Sequence, residues 1–263
     1  MRGVICYYSA SGNTRLASRY VAARLDMECD LVDVSSSATT DLSAYDFVGF
    51  AAPTDFGGMP QRFETFLAEL PQQSGKPAFV FNSYGLMSGR TLADLAEQAS
   101  ARGLRVLAGH SLRMPENYPP MRAIRLPFDN RPNAKDVRRL DAFIAELRRA
   151  LEALGRGAAP DAHPVRLGLL GGLRSAKART TARDDMGEKF VDAQLCTECG
   201  TCVRKCPYGA IVLDPMPVVD MSACHGCWRC FNQCPEHAIY TARFRGGPFY
   251  ARPSEHARQA LRP

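Results

Sequence analysis

Over its first 155 residues the chain alternates between short apolar runs and segments with helical periodicity. The apolar runs, rich in β-branched and aromatic residues as strands are, lie at 3–8, 29–34, 46–52, 77–82 and 104–110. Helical spacing of apolar residues occurs at 14–25, 60–70, 91–102 and 133–154, and a short helix is predicted near 41–45. Near-continuously apolar strands separated by helices predict a parallel sheet that is covered on both faces.

The pattern changes after this region, and we therefore divide the chain into four parts. These are a doubly wound α/β domain at 1–155, a basic linker rich in Gly and Ala at 156–187, a small cysteine-rich domain at 188–243, and a polar tail at 244–263. Residues 188–243 contain an internal repeat, because similar apolar pairs and cysteine runs recur at the same offsets. Two related halves folded against each other are expected there.

Cysteine usage and charge narrow the cellular setting. Eight of the ten cysteines lie between 196 and 234, and such clusters in a reducing compartment favour metal binding over disulfides. The first residues lack the pattern of a signal peptide, and no apolar run approaches the roughly 20 residues that span a bilayer. We expect a cytoplasmic protein without membrane insertion. The net charge of +6 permits acidic partners but decides nothing alone.

The clustered cysteines form two runs with identical spacing. The first is Cys196-x-x-Cys199-x-x-Cys202-x-x-x-Cys206-Pro207, and the second is Cys224-x-x-Cys227-x-x-Cys230-x-x-x-Cys234-Pro235. This is the known spacing of bacterial two-cluster ferredoxins, in which the fourth cysteine of each run ligates the other cluster. The expected sets are Cys196, Cys199, Cys202 and Cys234 for cluster I, and Cys224, Cys227, Cys230 and Cys206 for cluster II. Zinc is the competing metal, but its sites usually pair two Cys-x-x-Cys units across a longer gap.

A polar loop, Ser9-Ala10-Ser11-Gly12-Asn13-Thr14, joins the first predicted strand to the first predicted helix. Hydroxyl side chains, a glycine and the free N–H groups of a helix N-terminus make a phosphate cradle that needs no cation. Ligands of open α/β sheets bind outside the carboxyl ends of the strands, where this loop lies. A simple helix cap formed by Ser11 or Asn13 is the alternative.

Two further loops follow later predicted strands. They are Pro53-Thr54-Asp55-Phe56-Gly57-Gly58-Met59-Pro60 and Asn82-Ser83-Tyr84-Gly85-Leu86-Met87-Ser88-Gly89. Both combine aromatic residues with glycines, which suits a close approach of the backbone to a flat ring. Either loop alone is equally well explained as an ordinary turn, but all three loops are expected at one edge of the sheet.

These motifs together make the chain resemble the flavodoxin–ferredoxin fusion proteins. The resemblance covers nearly the whole chain and is carried by Ser9-x-Ser11-Gly12-x-Thr14, the doubled cysteine pattern and Met114-Pro115-Glu116-Asn117-Tyr118. It implies a flavodoxin-like doubly wound five-stranded parallel sheet, followed by a small α+β two-cluster ferredoxin domain. It also implies FMN and two 4Fe–4S clusters as cofactors.

The resemblance further assigns residues to the FMN. Its phosphate would be held by Ser9, Ser11, Gly12, Asn13 and Thr14. The isoalloxazine would be flanked by the two later loops, with the contacts Pro53, Thr54, Asp55, Phe56, Gly57, Gly58, Asn82, Ser83, Tyr84, Gly85 and Gly89. In flavodoxins a peptide at a glycine often reorients toward the reduced ring, and Gly57 and Gly58 are the matching positions.

Two redox functions are weighed. The favoured one is an iron–sulfur flavoprotein that transfers electrons between the clusters and FMN, linking one-electron carriers to a partner redox enzyme. The alternative is an FMN-dependent reductase of a small molecule, fed by the clusters, with Asp55, Tyr84, Glu116 and Tyr118 as candidate proton donors. The chain has no Ser-His-Asp set, zinc motif or dinucleotide-binding Gly-x-Gly-x-x-Gly, which favours the carrier and leaves catalytic residues unassigned. The expected partners are redox proteins that donate and accept electrons, and the oligomeric state is left open.

The segment from 165 to 183 is basic and contains no acidic residue. Its cations are Arg166, Arg174, Lys177, Arg179 and Arg183. A solvated linker is the favoured interpretation, and a strip that docks an acidic partner or nucleic acid is the alternative. No aromatic residues interleave for base stacking, and we therefore expect no nucleic-acid binding.

Overall fold

A computed structural model of the chain describes residues 1–36, 40–158 and 179–263. Its larger domain is built on a five-stranded parallel sheet. The strands are β1 (Arg2–Tyr7), β2 (Glu28–Asp33), β3 (Phe47–Pro53), β4 (Pro77–Tyr84) and β5 (Arg105–Arg113), in the order β2-β1-β3-β4-β5. This is the predicted flavodoxin-like doubly wound fold, with the order reversing between β1 and β3. The carboxyl ends of the strands therefore lie at one edge.

Helices cover both faces of this sheet. They are α1 (Asn13–Arg24), α2 (Gln61–Glu69), α3 (Thr91–Ala101), α4 (Pro119–Ala123) and α5 (Ala134–Gly155). The helix predicted near 41–45 is wrong, because these residues form a turn. The Asp41 carboxylate there accepts hydrogen bonds from the backbone N and the Oγ of Ser43, an arrangement that competes with helix formation.

Two apolar layers hold the sheet between the helices. On one face Ile5, Phe79 and Leu107 pack with residues of α1 and α5, and on the other Val4 and Phe50 pack with residues of α2 and α3. Both faces of the central strands are thus buried, as their near-continuous apolar sequence predicts. The polar side chains of the loops at the carboxyl ends are not part of these two apolar layers.

The smaller domain follows helix α6 (Arg179–Met186) and repeats one unit twice. Its elements are β6 (Lys189–Val191), α7 (Thr201–Lys205), β7 (Ile211–Asp214), β8 (Met216–Val219), α8 (Arg229–Gln233) and β9 (Ile239–Thr241). Strand β6 pairs antiparallel with β9, and β7 with β8. The first and last strands therefore close one sheet, which brings the two halves together as the repeat predicts.

The C-terminal residues differ from the expected polar tail. Helix α9 (Glu255–Ala260) begins at Ser254, whose Oγ accepts from Ala257 N at 3.2 Å. Ala257 and Leu261 are fully buried in the same apolar layer as α1 and α5. Residues 249–261, called here the C-terminal strap, thus return from the small domain to the large one.

Most of the basic segment proposed as a docking strip lies outside the described residues, since residues 159–178 are not described. Arg183 is described, and its Nη1 donates to the carbonyls of Met221 and Ser222 at 3.2 and 3.4 Å. That arginine therefore belongs to the small domain. Among the described residues, none of the helices is both long and apolar enough to cross a bilayer.

Candidate functional site

The loop between β1 and α1 presents an uncapped helix end. Helix α1 follows Gly12, which has φ 93°, and its first turn holds no acidic residue and no side-chain cap at Gly12. The amide of Asn13 is used elsewhere, because its Nδ2 donates to Pro115 O at 2.8 Å, while Ser11 Oγ accepts from Asn117 Nδ2 at 3.0 Å. The simple cap by Ser11 or Asn13 is therefore wrong. The start of α1 is uncapped in the sense that its N-cap residue makes no side-chain bond, while Arg15 N in the first turn donates to Ser9 Oγ at 3.3 Å. A helix N-terminus in such a polar loop suits an anion.

This helix end opens into a cavity of about 690 Å³, called here the large cavity. Four loops of the larger domain, those after β1, β3, β4 and β5, surround it, and a segment of the small domain closes it. The lining residues are Ser9, Ala10, Ser11, Asn13, Thr14, Pro53, Thr54, Asp55, Phe56, Gly57, Ser83, Tyr84, Gly85, Leu86, Met87, Met114, Pro115, Glu116, Asn117, Tyr118, Met121, Gly226, Cys227 and Trp228. Its size is in the range of small-molecule and cofactor sites.

The loop after β3 is a tight turn whose centre is Phe56 and Gly57. Their φ angles are 51° and 87°, and Asp55 and Gly58 exchange backbone hydrogen bonds of 2.9 and 3.1 Å across it. The positive φ at both central residues explains why position 57 is a glycine. Phe56 adopts the same left-handed conformation at a cost in backbone strain, and its ring lines the large cavity. The Gly57 carbonyl accepts from Arg90 N at 2.8 Å, so a reorientation of the Gly57–Gly58 peptide must break this bond.

The loops after β4 and β5 meet at a half-buried carboxylate. Glu116 accepts backbone hydrogen bonds from Leu86, Asn117 and Tyr118 at 3.2, 2.9 and 3.1 Å. A Cβ at Gly85 would lie 2.3 Å from Glu116 Oε2, which explains the glycine there. Burial raises the pKa of Glu116 above its ordinary value, although these N–H groups, Arg122 and Arg113 oppose the shift.

Twelve of the sixteen residues predicted for the FMN line the large cavity. The four that do not are Gly12, Gly58, Asn82 and Gly89. Gly12 starts α1 and Gly58 closes the Phe56 turn. Asn82 Nδ2 donates to Thr54 Oγ1 at 2.9 Å, and a Cβ at Gly89 would lie 2.1 Å from Gly57 O, so both shape neighbouring loops from behind.

Most of the lining residues that were not predicted to contact FMN come from two segments, and the others are Ala10, Leu86, Met87 and Met121. The segment from Met114 to Tyr118 follows β5, so the carboxyl-end rule that found the other loops applies to it equally. Gly226, Cys227 and Trp228 come from the small domain. No local sequence pattern predicts that these three residues line the cavity, because they reach it only through the docking of the two domains.

The docking is held by side chains at the cavity rim. Asn232 Nδ2 donates to Asn117 O at 2.9 Å, and Gln233 Nε2 donates to Ala10 O. From the C-terminal strap, the Tyr250 hydroxyl donates to Asn13 Oδ1 at 2.8 Å.

Aromatic contacts complete the rim. The ring of Tyr118 lies 5.3 Å from that of Phe56 and 6.1 Å from that of Trp228, both edge to face. Its hydroxyl donates to Asp185 of α6. The wall of the large cavity is thereby built from both domains.

The eight clustered cysteines line two further, small cavities. Cavity I is lined by Cys196, Cys199, Cys202 and Cys234, and cavity II by Cys224, Cys227, Cys230 and Cys206. These are the sets of three plus one that the spacing predicts. Within the described residues, no three His, Cys, Asp or Glu side chains are grouped as ligands of a single metal ion.

Backbone geometry is repeated around the two cysteine sets. Glu198 and Gly200 have φ of 53° and 67° in the first half, and Gly226 and Trp228 have 67° and 58° in the second. This left-handed coiling turns N–H groups toward sulfur. Glu198 N donates to Cys196 Sγ at 3.4 Å in the first half, and Gly226 N donates to Cys224 Sγ at 3.5 Å in the second.

Two buried cations border cavity II. Lys189 is 8% exposed and its Nζ donates to Cys224 Sγ at 2.6 Å. Burial lowers the pKa of Lys189, but the Cys230 and Cys224 thiolates outweigh burial and raise this pKa above its ordinary value. Arg229 is 7% exposed, and its Nε and Nη1 have no hydrogen-bond partner in the described structure.

Sequence comparison assigns both regions to known domain families. The flavodoxin domain family matches residues 4–110, and the 4Fe-4S binding domain family matches residues 189–212 and 217–240. No curated protein matches the chain significantly.

Solved structures resemble the larger domain. Oxidised flavodoxin 1 from Bacillus cereus is 22% identical, with 57% of this chain and 98% of that one covered and a TM-score of 0.44. A flavodoxin from the domain Archaea is 18% identical, with 58% and 99% covered and a TM-score of 0.43. Rubredoxin oxygen:oxidoreductase from Desulfovibrio gigas is 21% identical, with 58% and 36% covered and a TM-score of 0.45.

The flavodoxin domain implies FMN, and the two 4Fe-4S segments imply two 4Fe–4S clusters. The chain fits both. The uncapped start of α1 suits a phosphate, and the large cavity suits a ring system. Each small cavity offers four thiols, and the unpartnered nitrogens of buried Arg229 suit a neighbouring anionic cluster, because a buried cation without an acceptor is costly.

Proposed function

Since the chain is a flavodoxin–ferredoxin fusion that transfers electrons, we propose that it links one-electron carrier proteins to a partner redox enzyme through its clusters and its flavin. FMN supplies a centre for one or two electrons, and each cluster supplies a one-electron centre. One observation carries the proposal: Cys227 lines both the large cavity and cavity II. A ligand of cluster II would thus border the flavin site directly.

The exposure of the cysteines supports an order along this path. Cys199 of cavity I is exposed, whereas Cys224 and Cys230 of cavity II are 8% and 7% exposed. Cluster I is therefore the end that a partner protein reaches, and cluster II the internal station.

We assign the FMN phosphate to the loop containing Ser9, Ser11, Asn13 and Thr14. These four residues are between 1% and 7% exposed. The loops after β3, β4 and β5 would hold the isoalloxazine, with the Phe56 and Tyr118 rings at its side. Reconstituted protein that retained no FMN after gel filtration would contradict this half of the proposal.

The relay is tested by removing cluster II and following the flavin. Anaerobic protein is mixed with a reduced two-cluster ferredoxin, and flavin absorbance is recorded by stopped flow. Cys206→Ala is expected to slow flavin reduction at least tenfold, whereas Cys29→Ala, outside both cavities, leaves the rate unchanged. A wild-type rate in Cys206→Ala protein that has lost half its iron would overturn the relay.

A second function is favoured by one observation, the Glu116 carboxyl that lines the large cavity with a pKa raised by burial. A carboxyl that keeps its proton to higher pH can donate it to a bound small molecule. The reductase alternative predicts catalytic reoxidation of the flavin by a small molecule, such as a quinone, with no acceptor protein present. Turnover under those conditions, lost in Glu116→Gln, would replace the carrier function.

The expected partners are therefore a protein donor and a protein acceptor. None of the ten cysteines, all at described positions, forms a disulfide. This supports a reducing compartment, and we propose the cytoplasm.

A further inference from the structure

The two halves of the cluster domain differ in charge at equivalent positions. Lys189 and Pro217 each lie seven residues before the first cysteine of their run, and each lines the cavity of the other half. Lys189 borders cavity II, and Pro217 borders cavity I. One cluster therefore faces a buried ammonium where the other faces an uncharged ring.

Two more pairs of equivalent positions point the same way. Arg229 borders cavity II where Thr201 borders cavity I, and Tyr208 borders cavity II where Glu236 borders cavity I. Among the described residues that line cavity I, none carries a positive charge. Two cations beside cluster II thus correspond to none beside cluster I.

Nearby charges outside these linings do not cancel the difference. Arg204 donates to Cys199 O at 2.9 Å near cluster I, but it is exposed, so solvent screens it. Asp55, which lines the large cavity together with Cys227, carries the opposite charge to Lys189. One carboxylate that lines the large cavity does not offset two cations that line cavity II.

An electron added to a 4Fe–4S cluster adds negative charge to it. A cation held in a poorly hydrated interior stabilises that charge more than an exposed one does, and the reduction potential rises. Lys189 and Arg229 are both buried, and Lys189 contacts a ligand sulfur directly. Their effect falls on cluster II.

We propose that Lys189 and Arg229 make cluster II the higher-potential cluster of the pair, so that electrons entering the chain collect beside the large cavity. This inference rests on the cysteine assignment of the proposed function. It also gives a direction of electron transfer between the two clusters. The cysteine spacing cannot predict this direction, because the spacing is the same in both halves.

The test is an anaerobic redox titration of the whole protein followed by electron paramagnetic resonance. Wild-type protein is compared with Lys189→Met, Arg229→Met and the charge-conserving Lys189→Arg, and iron and sulfide are assayed in each. Lys205→Met, which removes an exposed cation of the same domain, is the matched control.

In each neutral variant, the higher cluster couple is expected to fall by at least tenfold in its reduction equilibrium, about 59 mV for one electron. The lower couple is expected to stay in place. Lys189→Arg is expected to keep most of the wild-type potential, and Lys205→Met both wild-type couples. If Lys189 had only a structural role, the reduction potential lowered in Lys189→Met would not be kept near the wild-type value in Lys189→Arg.

The proposal is overturned if both neutral variants keep full iron content and wild-type potentials, or if the lower couple moves instead. It is also overturned if both lose cluster iron with no shift in what remains, because the cations would then serve assembly only. Failure of the cysteine assignment is a separate result: Cys206→Ala would then remove the couple that Lys189→Met leaves unchanged.

Discussion

The half-repeats at 189–212 and 217–240 share one ligand pattern and face different surroundings. Both runs use the same cysteine spacing, and both coil through two left-handed residues. Wrapping a cluster fixes these features, since the thiolates and N–H groups must converge on one small volume. Several charged positions that the cluster does not fix have diverged between the two halves, whereas the apolar pairs Ala210-Ile211 and Ala238-Ile239 are retained.

The divergence follows what each half touches. Arg204 and Lys205 are exposed in the first half, whereas Asn232 and Gln233 at the equivalent positions bind backbone carbonyls of the larger domain. Charged side chains suit a solvated face, and amides suit a buried rim where each polar atom needs a partner. The second half is thus specialised for docking to the larger domain, and the first half for the side that is exposed to solvent.

The largest effect is expected from substituting the fourth cysteine of either run, because this should remove the cluster held by the other run's first three cysteines. Cys206 belongs to the first run but lines cavity II, and Cys234 belongs to the second run but lines cavity I. Cys206→Ala is therefore expected to remove cluster II, and Cys234→Ala cluster I, each halving the iron and sulfide content. Iron assay combined with the redox titration checks which couple disappears.

Cys29→Ala is the control for this exchange, because Cys29 lies in β2, outside both cavities, and should keep all the iron. If each substitution instead removed the cluster of its own triplet, the crossed pairing would be wrong.

The next largest effect is expected from a substitution that weakens FMN binding and leaves both clusters in place. Ser11 is 5% exposed beside the uncapped start of α1, and Ser11→Asp would set a carboxylate in the phosphate loop. We expect FMN affinity to fall about a hundredfold, which is about 2.7 kcal/mol, because like charges would meet in a poorly hydrated site. Fluorescence titration of FMN checks it, with exposed Ser74→Asp as the control.

This substitution also sharpens the comparison of the halves. Both clusters should persist in Ser11→Asp, and the potential difference between them should remain. If that difference vanished with the flavin, then the flavin, rather than Lys189 and Arg229, would be its source.

The sequence predicted the larger domain well, and the reason is physical. Each strand and long helix is recorded by local apolar spacing, so the five strands and α1, α2, α3 and α5 were found with boundary shifts of a few residues. Helix α4 begins with Pro119 and Pro120, has few positions for a pattern and was missed. Helix α9 was missed because Ala257 and Leu261 are too few to mark an apolar face.

The site was predicted in part, for a related reason. The cysteine sets and the loop at 9–14 follow from local motifs, and the structure groups them as the motifs imply. Trp228 belongs to no ligand or loop motif, yet it lines the large cavity. Contact between two domains depends on the complementarity of distant surfaces, and no single stretch of sequence carries that information.

A smaller effect is expected from exchanging the left-handed residues. Trp228 is 3% exposed and packs against Tyr118, Phe231 and Phe244, whereas its equivalent Gly200 is buried, has no side chain to pack and lies beside exposed Cys199. Trp228→Gly loses about 3–5 kcal/mol of packing and regains about 1–2 kcal/mol of backbone strain.

A net loss of about 1–4 kcal/mol should lower the apparent Tm of the anaerobic holoprotein by roughly 2–16 °C. The reciprocal control is Gly200→Ala, which adds the strain, about 1–2 kcal/mol, and a 3.0 Å contact with Nη1 at the end of the flexible Arg204 side chain. Equal shifts in the two variants would mean that Trp228 contributes no packing to the domain contact.

The smallest effect concerns the amide that replaces a surface cation. Asn232 is 2% exposed, donates to Asn117 O at 2.9 Å and accepts from Tyr250 N at 3.1 Å, so it ties the second half to both the larger domain and the C-terminal strap. Asn232→Ala should cost about 2 kcal/mol, since each of two buried hydrogen bonds contributes about 1 kcal/mol. Arg204→Ala at the equivalent exposed position should stay within about 0.5 kcal/mol. Thermal unfolding of both holoproteins checks the difference, and equal shifts would show that the second half is not held more firmly than the first.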